Sequence, residues 1–147
     1  MKIGELALAT ACEVETIRYY ERAGLLPEPA RSDGNYRVYA DAHLERLRFI
    51  RRCRALDMSL DEIRQLLELS QSTDGRCDAV DGLIRAHLEH VEIRMRELRE
   101  LKKQLRALVD GCAESGALPD CGVLRGLSTA AAIPAAERGH VPRTHRR

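Results

Sequence analysis

A chain of 147 residues fits one domain of ordinary size, or a smaller domain carrying an assembly element. One Phe, four Tyr and no Trp supply little aromatic surface for an enclosed cofactor pocket, while the Leu, Ile, Val and Ala content suits a mainly α fold. The formal net charge of +1 neither supports nor excludes nucleic acid, because binding surfaces depend on local charge.

Residues 2–10 place Ile3, Leu6 and Ala7 on one helical face, and residues 14–23 do the same with Val14, Ile17 and Tyr20 or Glu21. Ala11, Cys12 and Glu13 leave room for a tight turn between them, and Gly24 ends the second helix. Two short helices so joined form a helix-turn-helix. Residues 28–40 read as a hairpin: Ser32-Asp33-Gly34-Asn35 is turn chemistry, with Gly able to take positive φ, and Tyr36 to Tyr39 alternate as a short strand. A hairpin in that place is a wing. Asp41 is a candidate cap for a helix to about Leu56, in which Leu44, Leu47, Phe49, Ile50 and Cys53 supply apolar surface and the arginines mostly face out. Ser59 to Glu62 form a capping box for a further helix with Ile63, Leu66, Leu67 and Leu69. From Arg31 to Arg54 seven arginines stand against three acidic residues, a local surplus suited to phosphate.

Residues 70–77 are a polar linker. From about Asp78 to Asp110 no Pro occurs, which predicts a helix of about 50 Å. Its stripe Ile84, Leu88, Val91, Met95, Leu98, Leu101, Leu105 and Leu108 steps by 4, 3, 4, 3, 3, 4 and 3, the period of a left-handed coiled coil between two copies. Gly111 stops the helix, Cys112 and Cys121 close a loop, Val123, Leu124 and Leu127 form a short apolar turn, and residues 129–147 read as a disordered tail. The domains expected are therefore 1–70, 71–111, 112–128 and 129–147. No apolar run of about 18 residues exists and Met1 to Thr10 lacks a signal-peptide core, so the expected location is cytoplasmic, with no membrane partner. In a reducing compartment the five cysteines are ligands or small hydrophobes rather than disulfides. An enzyme is not expected, since no Gly-rich phosphate loop, nucleophile motif or paired carboxylates in an apolar setting occur.

The segments IGELA at 3–7, VETIRYYER at 14–22, LLPEPARSDGNYRVY at 25–39 and CRALDMSLDEIRQLL at 53–67 resemble the MerR family of dimeric regulators, most closely its cadmium- and lead-responsive branch, the CadR and PbrR proteins. The resemblance runs from residue 2 to about 127. It implies a homodimer on promoter DNA that, on binding metal, bends and untwists an over-long spacer so that RNA polymerase engages both promoter elements. On the DNA side Thr16, Arg18, Tyr19 and Arg22 of the second helix are candidates for base and phosphate contacts, with Arg18 the best base reader, and Tyr36, Arg37 and Tyr39 of the wing for phosphates. The plainer reading makes each tyrosine a core residue and each arginine a solvated one.

On the metal side Cys77, Cys112 and Cys121 offer three soft thiolates without a hard fourth donor, which favours Cd(II) or Pb(II) and leaves Hg(II) open. Zn(II) is disfavoured as the chief effector, because relatives that sense it resemble a pattern with an added cysteine where Ala113 stands and a loop histidine. Cys77 and Cys112 lie about one 50 Å helix apart, so they can share an ion only across two antiparallel copies, in agreement with the resemblance. The expected architecture is a winged helix-turn-helix, a long antiparallel coiled-coil dimerisation helix and a C-terminal metal-binding loop. Cys12 and Cys53 read as buried or incidental. His87 and His90, three apart, are candidates for an accessory metal site with tail His140 and His145, against the plainer reading of surface histidines. The rival to regulation is a thiol metal-buffering or redox protein with the basic segment incidental.

Overall fold

The computed structural model describes residues 1–111, Leu118 and residues 121–129. Its elements run α1 (Ile3–Thr10), α2 (Val14–Arg22), β1 (Ala30–Arg31), β2 (Arg37–Val38), α3 (Asp41–Ala55), α4 (Leu60–Gln71), α5 (Cys77–Asp110) and α6 (Gly122–Thr129). They divide into two compact units, Met1 to Leu83 and the chain from Ile84 on.

In the first unit the helix signals act locally. α1 stops where Ala11 takes a left-handed conformation (φ 47°), letting Cys12 N–H close on Ala7 O at 3.0 Å. α2 ends at Gly24, whose φ of 70° no side chain would favour, and Leu25 N–H and Leu26 N–H fold back onto Tyr20 O. The capping box of α4 forms in full: Ser59 Oγ accepts from Glu62 N–H at 3.2 Å, and Glu62 Oε2 accepts from Ser59 N–H at 2.7 Å. At α3 the cap differs from expectation. Ala40, not Asp41, precedes the first turn, and its N–H donates to Nδ1 of His43 at 3.1 Å.

Leu6 of α1, Ile17 of α2, Leu25 and Leu26 of the connection, Leu47 and Ile50 of α3, Met58, and Ile63 of α4 make the core, with Val80 and Leu83 of α5 packed against it. Each fully buried aliphatic chain contributes about 1.5–3 kcal/mol. Four arginines then complete the frame by donating to backbone carbonyls, two at helix ends (Thr10 and Ala23) and two in the connections that follow helices (Leu25 and Met58). Arg46 donates to Leu25 O at 2.7 Å, Arg54 to Met58 O at 2.7 Å, Arg64 to Ala23 O at 3.0 Å, and Arg51 to Thr10 O. As expected, most arginines of α3 face out: Arg48, Arg51 and Arg52 are exposed, while Arg46 and Arg54 are half-buried. Arg46, Arg51 and Arg54 also tie backbone carbonyls, which limits how freely their guanidinium groups can turn to a partner.

β1 and β2 form a two-stranded antiparallel hairpin, Ala30 against Val38 and Arg31 against Arg37. The turn works differently from the expectation: Asn35, not Gly34, takes the positive φ (61°). Gly34 instead makes room for the Tyr36 ring, which a Cβ there would meet at 3.1 Å.

α5 has no buried residue along its 34 positions, and its stripe from Ile84 to Leu105 lies exposed. Leu108 is half-covered, because α6 packs on it: a Cβ at Gly126 would fall 2.7 Å from Leu108 Cδ2. Among the described residues no helix is long and apolar enough to cross a membrane.

Candidate DNA-binding surface and thiol site

α2 carries an amphipathic pattern that decides which side chains stay available. Ile17 and Tyr20 are buried, so the intervening face turns outward with Arg18, Tyr19 and Arg22 exposed and Thr16 half-buried. Glu15 holds both arginines, Arg22 Nη2 at 3.2 Å and Arg18 Nη1 at 3.7 Å. All three are well exposed, so these pairs are worth little in water and yield readily to a phosphate. Tyr19 stacks at a tilt on Tyr20, ring centroids 5.8 Å apart.

The wing adds three predicted residues with unlike fates. Tyr36 is 74% exposed, and Arg37 is partly exposed, 3.7 Å from Glu21 of α2. Tyr39 is a core residue, 1% exposed, with its hydroxyl donating to Glu21 Oε1 at 2.6 Å and its ring edge-on to His43. Burial and the Glu21 carboxylate push the Tyr39 phenol well above its usual range. Tyr39 therefore drops out of the set of surface contacts. Glu21 has no functional role in the sequence reading, which offers it only as an alternative to Tyr20 on the packed face of α2: no local pattern marks an acid whose partners lie 16 and 18 positions away.

The cysteines fall into two groups. Cys77 is exposed at the first position of α5, and Cys121 is half-buried immediately before α6. Cys112 lies outside the described residues, as do His140 and His145. Cys12 and Cys53 are half-buried and buried, and burial pushes both thiols up; beside Cys12, Arg51 pulls the other way and Glu13 adds to the rise. A raised pKa favours the thiol over the thiolate that ligates or attacks. Cys53 belongs to the core and Cys12 packs against it, which supports reading both as packed residues. Three soft thiolates would suit a large, soft divalent ion. His87 is half-buried and His90 exposed on α5, with ring nitrogens within 4.8 Å of each other.

Comparison with known proteins agrees with this layout. Residues 1–70 match the MerR HTH family regulatory proteins and residues 44–108 match the family described as MerR, DNA binding. A ZntR homolog of Haemophilus influenzae, an HTH-type transcriptional regulator, is 47% identical over 105 residues, covering 71% of this chain and 78% of that protein. The mercuric resistance operon regulatory protein of Bacillus cereus is 33% identical over 126 residues, covering 86% and 96%. Among solved structures, the transcription regulator PbrR691 of Ralstonia metallidurans, in complex with lead(II), is 50% identical, covers 86% of this chain and 98% of its own, and superposes with a TM-score of 0.77. On these matches the chain belongs to the MerR family of helix-turn-helix regulators, DNA-binding proteins and not enzymes.

Proposed function

We propose that this protein is a homodimeric, metal-responsive activator that binds promoter DNA and turns on heavy-metal resistance genes when Cd(II) or Pb(II) occupies a site of Cys77, Cys112 and Cys121. The observation that carries the reading is α5: a 34-residue helix with an exposed apolar stripe and an exposed cysteine at its first position. Such a stripe calls for a second copy. Charge along α5 argues for the direction of pairing. Residues 77–93 carry four carboxylates against one arginine, and residues 94–110 carry six cations against three carboxylates. Antiparallel pairing sets the acidic half against the basic half, whereas parallel pairing would set like on like.

Antiparallel pairing also brings Cys77 of one copy towards the loop of the other, since the helix itself spans about 50 Å. Symmetry then gives two equivalent sites. The likeness to a lead-bound relative supports Pb(II), and the zinc- and mercury-named relatives keep Zn(II) and Hg(II) as alternatives. Metal binding would order the loop, shift the angle between the two winged domains and deform the DNA, at a cost offset by the new contacts. RNA polymerase enters through the reshaped promoter, and the compartment is the cytoplasm.

A mixed dimer tests the shared site. Cys77→Ser and Cys112→Ser chains should each fail to bind metal tightly alone, while their heterodimer keeps one site with all three thiolates. Thiolate-to-metal absorbance should then reach about half the wild-type amplitude. Full binding by either single variant, or none by the heterodimer, would refute sharing. A gel-shift titration with and without Cd(II) separates regulation from metal buffering, because a buffer would not select a duplex.

A further inference from the structure

The wing has little apolar surface to fix it. Its strands are two residues long, and all four strand residues are exposed, so its direction depends on what grips its base. One tie is to the N-terminus: Tyr39 N–H donates to Met1 O at 2.8 Å, and the Met1 ammonium donates to Tyr39 O at 2.7 Å. The other is to α2. Glu21 keeps its side chain 9% exposed, accepts from Tyr39 Oη on Oε1 at 2.6 Å, and places Oε2 3.7 Å from Arg37 Nε. Arg37 and Tyr39, two apart in extended chain, fall on one side, while Tyr36 and Val38 fall on the other and remain exposed. A single carboxylate therefore holds one face of the strand and leaves the opposite face free.

We propose that Glu21 is a positioning residue for DNA binding, fixing the wing through Arg37 and Tyr39 at a set spacing from Arg18 on the same helix. The proposal rests on the reading of Arg18, Tyr36 and Arg37 as DNA contacts. Electrostatics alone would disfavour an acid here, since a negative charge beside the phosphate-facing surface weakens attraction to every duplex. Burying a carboxylate also costs free energy unless its partners compensate. A purely electrostatic role predicts that neutralising Glu21 tightens all DNA. A positioning role predicts that it loosens the preferred duplex selectively, because a misplaced wing loses register while general attraction survives.

The test uses the full chain, a duplex that the wild-type protein selects from a random pool, and a scrambled duplex of equal length at the same salt. Glu21→Gln keeps the side-chain shape but removes the charge. It should weaken binding to the selected duplex about tenfold, a fold-change typical of losing hydrogen bonds to a charged group, with scrambled-duplex binding unchanged or tighter. Tyr39→Phe should lower the same selectivity, and the double variant should fall no further than the worse single, because the two side chains act as one unit. Should Glu21→Gln melt early by circular dichroism, Tyr39→Phe decides, since it removes only a hydroxyl. Equal tightening on both duplexes, no change on either, or equal weakening overturns the proposal. Arg37→Ala separates the two layers. If it leaves selected-duplex affinity intact, the wing contact fails and the proposal with it; if it weakens binding while Glu21→Gln does not, the proposal alone fails.

Discussion

If the exposed stripe of α5 joins two copies as proposed, replacing Leu98 and Leu101 by Ala should shift the protein from dimer towards monomer. Each leucine is 49% exposed in the single chain, so its own helix covers about half and a second copy would bury the rest. Full burial of a leucine is worth about 1.5–3 kcal/mol, which leaves about 1 kcal/mol for each residue in each copy. Two residues in two copies give about 4 kcal/mol, or roughly a thousandfold in the dimer dissociation constant. Alanine keeps helix propensity, so loss of the dimer would not reflect melting of α5. Sedimentation equilibrium across a range of protein concentrations reads the constant directly. Leu56→Ala serves as control, because Leu56 is as exposed as the stripe leucines or more, yet sits at the end of α3 off the stripe. An unchanged dimer in the double variant, or equal weakening by Leu56→Ala, would refute the argument that the stripe is the interface.

Arg18→Ala should weaken binding to a selected duplex by about 1–3 kcal/mol with metal stoichiometry unchanged; equal losses on selected and scrambled DNA would make Arg18 a phosphate contact instead. Iodoacetamide in the metal-free protein at mildly alkaline pH should label Cys77 before Cys12 and Cys53, whose thiols burial pushes up; mass spectrometry of peptides during the time course decides, and earlier labelling of Cys53 would contradict its packing. The raised phenol of Tyr39 stabilises the neutral form, so its contribution is complete below the unfolded value of about 10 and is lost as pH rises above it. Melting temperature should thus decline in strong alkali, and Tyr39→Phe should flatten that decline; an unaltered slope would place the ring in solvent.

The features legible in the sequence are those with local causes. The capping box at Ser59 and Glu62 and the helix stop at Gly24 involve partners within a few positions, and the structure keeps them. The stripe from Ile84 to Leu105 follows from a period of 3.5 and predicts an exposed apolar face whatever the rest of the chain does. Exposure of Arg18, Tyr19 and Arg22 follows equally from the burial of Ile17 and Tyr20, which set the inward face of the same helix. What tertiary structure decided depends on atoms brought together from far along the chain. Arg51 meets a carbonyl 41 positions away and Arg46 one 21 away, and composition cannot distinguish such an arginine from one reserved for phosphate. Tyr36 and Tyr39 look alike in sequence, yet one is exposed and the other is buried against Glu21. That difference arises because strand alternation settles only that two residues point to opposite sides, while the packing of α2 against the wing settles which side is inside.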